Sequence, residues 1–178
     1  KMNDKQYADC ADKLQPLLAE YSEVLELRRT DRKTLTEEQI EFMDSFPFSG
    51  ITIIKKIVQL VEGYVNRVID YAADRGKKSF AAMVPESEYG NVALAAFQQA
   101  AARRGLRVVV IERFPEGNST AAAQRIGGIA NQIDALFIPE QAAGMADVSR
   151  ALTAAGIKPA QVQILGTGVW ADSRVLKL

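Results

Sequence analysis

The sequence has 178 residues, 48% of them apolar and 25% charged, which is enough for one sizeable core or two small ones and far from the composition of a disordered chain. Lys plus Arg number 22 and Asp plus Glu 22, so the formal net charge is +0, without the basic excess that a nucleic-acid surface carries. With 0 His and 1 Cys, Cys10, the chain lacks Ser/His and Cys/His nucleophile pairs, imidazole metal ligands, an internal disulfide and any Cys-based zinc site, so most hydrolase mechanisms fall away, and no enzyme activity and no cofactor are expected.

The opening residues carry charges every few positions and contain neither the apolar core of a signal peptide nor a membrane span. Apolar residues at Tyr7, Cys10, Leu14, Leu18, Tyr21 and Leu25 recur at three- and four-residue spacing, which predicts an amphipathic helix from about Asp4 to Thr30, kinked at Pro16. After a polar break, Thr36-Glu37-Glu38-Gln39 has the form of a capping box and should open a short helix with Ile40, Met43 and Phe46 inward. Phe46-Pro47-Phe48-Ser49-Gly50 stops it. A third helix follows, with Ile51, Ile54, Val58, Val61, Val65, Val68, Ile69 and Ala72 on one side, closing at Arg75-Gly76.

From Lys77 the habit changes. Phe80 to Val84, Val108 to Ile111, Ala135 to Ile138 and Val162 to Leu165 are short continuous apolar runs, the pattern of strands buried on both faces. Between them lie Ala-rich stretches with helical spacing, Asn91 to Arg104, Ser119 to Gln132 and Ala142 to Ala155. The expected fold is therefore α/β, a parallel sheet of about four strands with flanking helices, preceded by an α-helical segment. The expected domains are residues 1–64, a helical extension, and residues 65–178, the α/β part; the first is mildly acidic and the second mildly basic. Arg103-Arg104 and Lys77-Lys78 fall at helix ends and read as solvated charge that complements the helix dipole.

Ligand contacts in an open parallel sheet gather at the carboxyl ends of the strands. Ser87, Glu88, Tyr89 and Gly90 follow the first strand and offer a hydroxyl, an aromatic face and helix-start amides to a polar small molecule. The plainer account is a turn in which Ser87 or Glu88 caps the next helix and Tyr89 packs on the surface. Glu140 and Gln141 occupy the equivalent end of the third strand, where Glu140 either meets a ligand cation or caps a helix. Glu86, Glu88, Glu112 and Glu116 form an acidic set near strand ends, but they lack the spacing of a calcium loop and read as solvated charge. Gly166-Thr167-Gly168 fits the start of a dinucleotide fingerprint, yet no helix and acidic strand end follow it, so a turn leaving the sheet is the better account.

Several stretches together resemble a known family. Val65 to Ala72, Ser79 to Pro85 with Ser87-x-Tyr89-Gly90 behind it, Arg104-Gly105, Asp134 to Pro139 and Ala154-Ala155-Gly156-Ile157 look like one lobe of a type I periplasmic binding protein. More narrowly, they are similar to the penicillin-binding-protein activators of Gram-negative bacteria, relatives of the leucine-binding receptors. The resemblance implies a non-enzymatic lobe that binds a polar small molecule such as an amino acid, closes by hinge motion and works in the periplasm at the cell envelope. Residues 1–64 do not resemble the family's first lobe, and the site is expected to be incomplete. Gly144 falls near the place where amino-acid receptors of this type put a carboxylate for the ligand amine. Two other readings stand beside it: a helical module that homodimerises through residues 1–64 on an α/β scaffold, and a doubly wound nucleotide-binding domain, which lacks a phosphate loop. Neither nucleic acid nor a membrane span is expected.

Overall fold

The computed structural model describes residues 30–45, 50–141 and 143–167. The helix expected from Asp4 to Thr30, the stop at Phe46 to Ser49 and the glycine turn from Gly168 onward lie outside the described residues. Contacts divide the chain into two units, Lys1–Leu60 and Val61–Leu178.

In the first unit the capping box forms as the sequence predicts. The Gln39 N–H donates to Thr36 Oγ1 at 3.2 Å and the Thr36 N–H donates to Gln39 Oε1 at 2.9 Å, so each residue's side chain satisfies the other's backbone amide at the helix start. Helix α1 (Glu37–Ser45) follows, with Glu37 and Glu38 at its positive end and Ile40 half-buried. Helix α2 (Gly50–Asp74) runs for 25 residues across the division between the units. In its second half Val61, Val65, Ile69 and Ala72 are completely buried, which is the predicted stripe, and Tyr64 joins them.

The second unit alternates strand and helix: β1 (Ser79–Pro85), α3 (Glu88–Arg103), β2 (Arg107–Phe114), α4 (Thr120–Gly127), β3 (Ala135–Phe137), α5 (Met145–Ala154) and β4 (Gln163–Leu165). The strands form one four-stranded sheet in the order β2-β1-β3-β4, every pairing parallel. The fold is α/β, as expected. Alternation along the strands sends successive side chains to opposite faces. On one face Phe97 of α3 stacks on Phe137 with ring centroids 5.1 Å apart and tilts against Phe80 at 6.5 Å. On the other, Ala81, Met83, Leu136 and Ile138 pack with Ile126 of α4 and Val148 of α5.

Three helix boundaries differ from expectation, each for a local reason. Helix α3 starts at Glu88 rather than Asn91, because Ser87 supplies the cap: its Oγ accepts the Gly90 N–H at 3.0 Å. Helix α4 ends at Gly127 instead of Gln132. A Cβ at Gly127 would lie 2.6 Å from the Ala155 carbonyl oxygen, so glycine lets α4 pass close to the end of α5, and a separate 3-10 turn over Ala130–Gln132 carries the chain on. Helix α5 begins at Met145 rather than Ala142, after the turn in which the Gly144 N–H donates to the Gln141 carbonyl at 3.0 Å.

Candidate functional site

Because all strands run the same way, the turns after β1 and β3 share one edge of the sheet, and β1 and β3 are neighbours. The chain leaves β1 toward β2 on one side and places β3 and β4 on the other, so the strand order reverses between β1 and β3, the place where open α/β sheets put their ligand contacts.

Around that point three side chains from three strand exits converge. Tyr89, in the first turn of α3, is buried rather than lying on the surface, which corrects the plainer sequence account of it. Its hydroxyl donates to Thr167 Oγ1 at 2.5 Å, and Thr167, two residues beyond β4, is itself buried. Burial raises the Tyr89 hydroxyl to about 12, the bond to Thr167 works against this, and the charge of Glu140 adds to it, so Tyr89 is a donor across the physiological range.

Glu140 is the third. It follows β3 and the buried Ile138-Pro139 pair and is only 7% exposed. The Gln141 N–H donates to its Oε1 at 2.6 Å, and its second oxygen has no hydrogen-bond partner among the described residues. Burial holds the Glu140 carboxyl above the ordinary carboxylate range, the Gln141 amide opposes this, and repulsion from Glu116 and Asp147 reinforces it. A Cβ at Gly144 would come within 2.6 Å of the Glu140 carboxyl carbon and 2.9 Å of both its oxygens. The Glu140 carboxylate thus occupies the space in front of Gly144.

The other expected site residues have assignable places. Ser87 is the cap of α3, half-buried, and Gly90 is buried with its amide taken by Ser87. Its lack of a side chain is steric: a Cβ there would sit 2.2 Å from the Pro85 carbonyl oxygen. Glu88 is exposed and makes no hydrogen bond or ion pair among the described residues, whereas Gln141 is half-buried beside Glu140. The acidic set does not assemble. Glu112 pairs with Arg125 at 2.6 Å, Glu86 and Glu116 are exposed, and among the described residues no three His, Cys, Asp or Glu side chains gather as a metal site needs. Thr167 is the residue that sequence reasoning missed. The signal was present, since Thr167 follows the last predicted strand on the same edge, but the flanking glycines drew attention to a phosphate motif instead.

No protein-family model matches the sequence, and no curated protein matches it. Solved structures do match the fold. A solute-binding protein of an ABC transporter from R. palustris, in complex with 4-hydroxybenzoate, aligns with a TM-score of 0.55 at 24% identity over 65% of this chain and 30% of its own. A branched-chain amino acid ABC transporter periplasmic ligand-binding protein from Burkholderia xenovorans gives 0.54 at 17% identity over 60% and 28%. An ABC transporter substrate-binding protein from Desulfitobacterium hafniense, in complex with leucine, gives 0.52 at 20% identity over 62% and 32%. The chain therefore spans about 30% of the length of the structures it matches. The α/β unit has the fold of part of a type I periplasmic binding protein, which is the fold the sequence resemblance implied.

Proposed function

We propose that the α/β unit is one wall of a small-molecule binding site of the solute-binding kind, which holds a polar ligand such as an amino acid and releases it unchanged. The observation that carries the reading is the Glu140 carboxylate, 7% exposed at the strand-order reversal and packed against Gly144, with one oxygen unpartnered among the described residues. A buried carboxylate with a free oxygen is matched by a ligand ammonium, which compensates the burial that raises its pKa. Glu140 would take the part of the carboxylate that position 144 lacks. Ser87, Glu88, Tyr89, Gly90 and Gln141 border the same edge, Tyr89 by fixing the turn through Thr167 and Ser87 by capping the helix.

In its finer form the reading places the protein among penicillin-binding-protein activators at the periplasmic cell envelope, with residues 1–64 as a helical extension through which two copies associate and residues 65–178 as the lobe. The support for the lobe is the sequence resemblance, and for association it is the apolar stripe that the sequence predicts between residues 4 and 30. Among the described residues no helix is long and apolar enough to cross a membrane. One wall alone gives up much of the contact area of a closed cleft, so affinity on the order of millimolar is expected.

Calorimetric titration with neutral α-amino acids and with the corresponding α-hydroxy acids tests the reading. The amino acids should bind and the hydroxy acids, which lack the ammonium, should not, and Glu140→Gln should abolish the difference. Equal binding of both series, or mass-spectrometric evidence that the ligand is converted, would contradict it.

A further inference from the structure

A concavity lies at the opposite, amino edge of the sheet. It is a cleft of about 660 Å³ whose polar lining comprises Lys77, Lys78, Ser79, Arg104 and Arg107, and among the described residues no acidic side chain lines it. These cations are far apart in sequence. They meet because the α2–β1 turn carries Lys77 and Lys78, the α3–β2 turn carries Arg104 and Arg107, and the parallel pairing of β1 with β2 sets Ser79 beside Arg107.

Helix-end charge explains part of this cluster and leaves part over. Both helix ends are already closed by backbone: Gly76 and Gly105 adopt φ of 83° and 63°, the Lys77 N–H donates to the Ala72 carbonyl at 3.1 Å, and the Leu106 N–H donates to the Ala101 carbonyl at 2.9 Å. Arg104 is balanced by Asp70 and Asp74, and Arg107 donates to the Gln132 carbonyl at 3.2 Å. The nearby Asp134 carboxylate accepts the Lys78 and Ser79 amides, both at 2.9 Å. The ammonium groups of Lys77 and Lys78 make no ion pair among the described residues. The Asp134 carboxylate also feels the charges of Lys77 and Arg107, so Asp70, Asp74 and Asp134 together offset much of the cluster and a modest positive surplus, centred on Lys78, is left in a cavity the size of small-ligand sites.

We propose that this cleft binds a phosphoryl oxyanion, for which guanidinium forks and lysine ammonium groups are suited donors. The anion comes either as a free small molecule or as a lipid headgroup. The site is independent of the one at the carboxyl edge, and neither proposal rests on the other.

The test titrates inorganic pyrophosphate into the full chain at low ionic strength, and in parallel sediments the protein with phosphatidylglycerol or phosphatidylcholine vesicles. Pyrophosphate should bind, weaken with added salt, and bind about tenfold or more weakly to Lys77→Gln/Lys78→Gln. Lys77→Arg/Lys78→Arg and the distant Arg150→Gln should keep it. Sedimentation with phosphatidylglycerol alone, lost in the same glutamine variant, assigns the anion to a lipid source. No binding in either arm, or binding that the glutamine variant keeps or that Arg150→Gln weakens equally, would overturn the proposal.

Discussion

At Glu140 a buried carboxyl faces a glycine with no room for a side chain. Its pKa is raised in the folded protein, so between the unfolded and folded values the native state holds a proton that the unfolded chain releases; the residue's contribution is most favourable in acid and is lost as pH rises through that window. Glu140→Gln should therefore melt at a higher temperature than the parent at pH 7, and the gap should close as pH falls below about 4.3, the ordinary glutamate value. A variant that melts lower at pH 7 would mean that the carboxylate holds the turn together rather than straining it. Tyr89 shows the same linkage at the alkaline end. Its hydroxyl rises from 10.0 to about 12, so from pH 10 upward the unfolded chain loses a proton that the native state keeps, and stability declines. Tyr89→Phe should flatten that decline, measured as urea midpoint against pH, while costing about 1 to 3 kcal/mol at pH 7 because buried Thr167 loses its partner. Position at a strand end is what marks Glu140 and Tyr89 as candidates in the sequence. Their burial was not legible, because it arises from packing between β1, β3 and β4 exits that lie 27 to 78 residues apart.

At the scale of elements, local chemistry was read well where it is contained within a few residues. The reciprocal bonds of Thr36 and Gln39 are the clearest case, and the buried stripe from Val61 to Ala72 is another. Helix ends went astray where a distant element decides them. Ser119 precedes α4 yet caps nothing with its own side chain; instead its N–H and hydroxyl both donate to Asp147 Oδ2, at 3.0 and 2.6 Å, from the first turn of α5. No local rule announces a bond between positions 28 residues apart. Ser119 is completely buried, so Asp147→Ala leaves two donors unpaired and should cost about 1 to 3 kcal/mol in chemical denaturation. Combined with Ser119→Ala, the second change should add less than it costs alone, since one hydroxyl donor has already been removed. Full additivity would show that the two residues act separately.

The whole molecule was legible through its alternation. Four short apolar runs separated by Ala-rich helices define parallel crossovers, and they do form one parallel sheet. The strand order, which brings β1 beside β3 and so gathers the candidate site's turns, is a property of the folded sheet and not of any segment. The amino-edge cations were equally opaque: Lys77-Lys78 and Arg103-Arg104 read as separate helix ends until the β1–β2 pairing joined two of their turns in one cleft. The central claim is that the carboxyl edge of this sheet holds a polar ligand. Amide chemical-shift mapping of the isotopically labelled protein, titrated with leucine and then with 4-hydroxybenzoate, measures it most directly. The account predicts saturable shifts confined to Ser87–Gly90, Glu140, Gln141 and Thr167 with leucine, which carries an ammonium, and smaller ones with the benzoate, which does not. Shifts absent from that edge with both ligands, or centred on the amino edge, would contradict it.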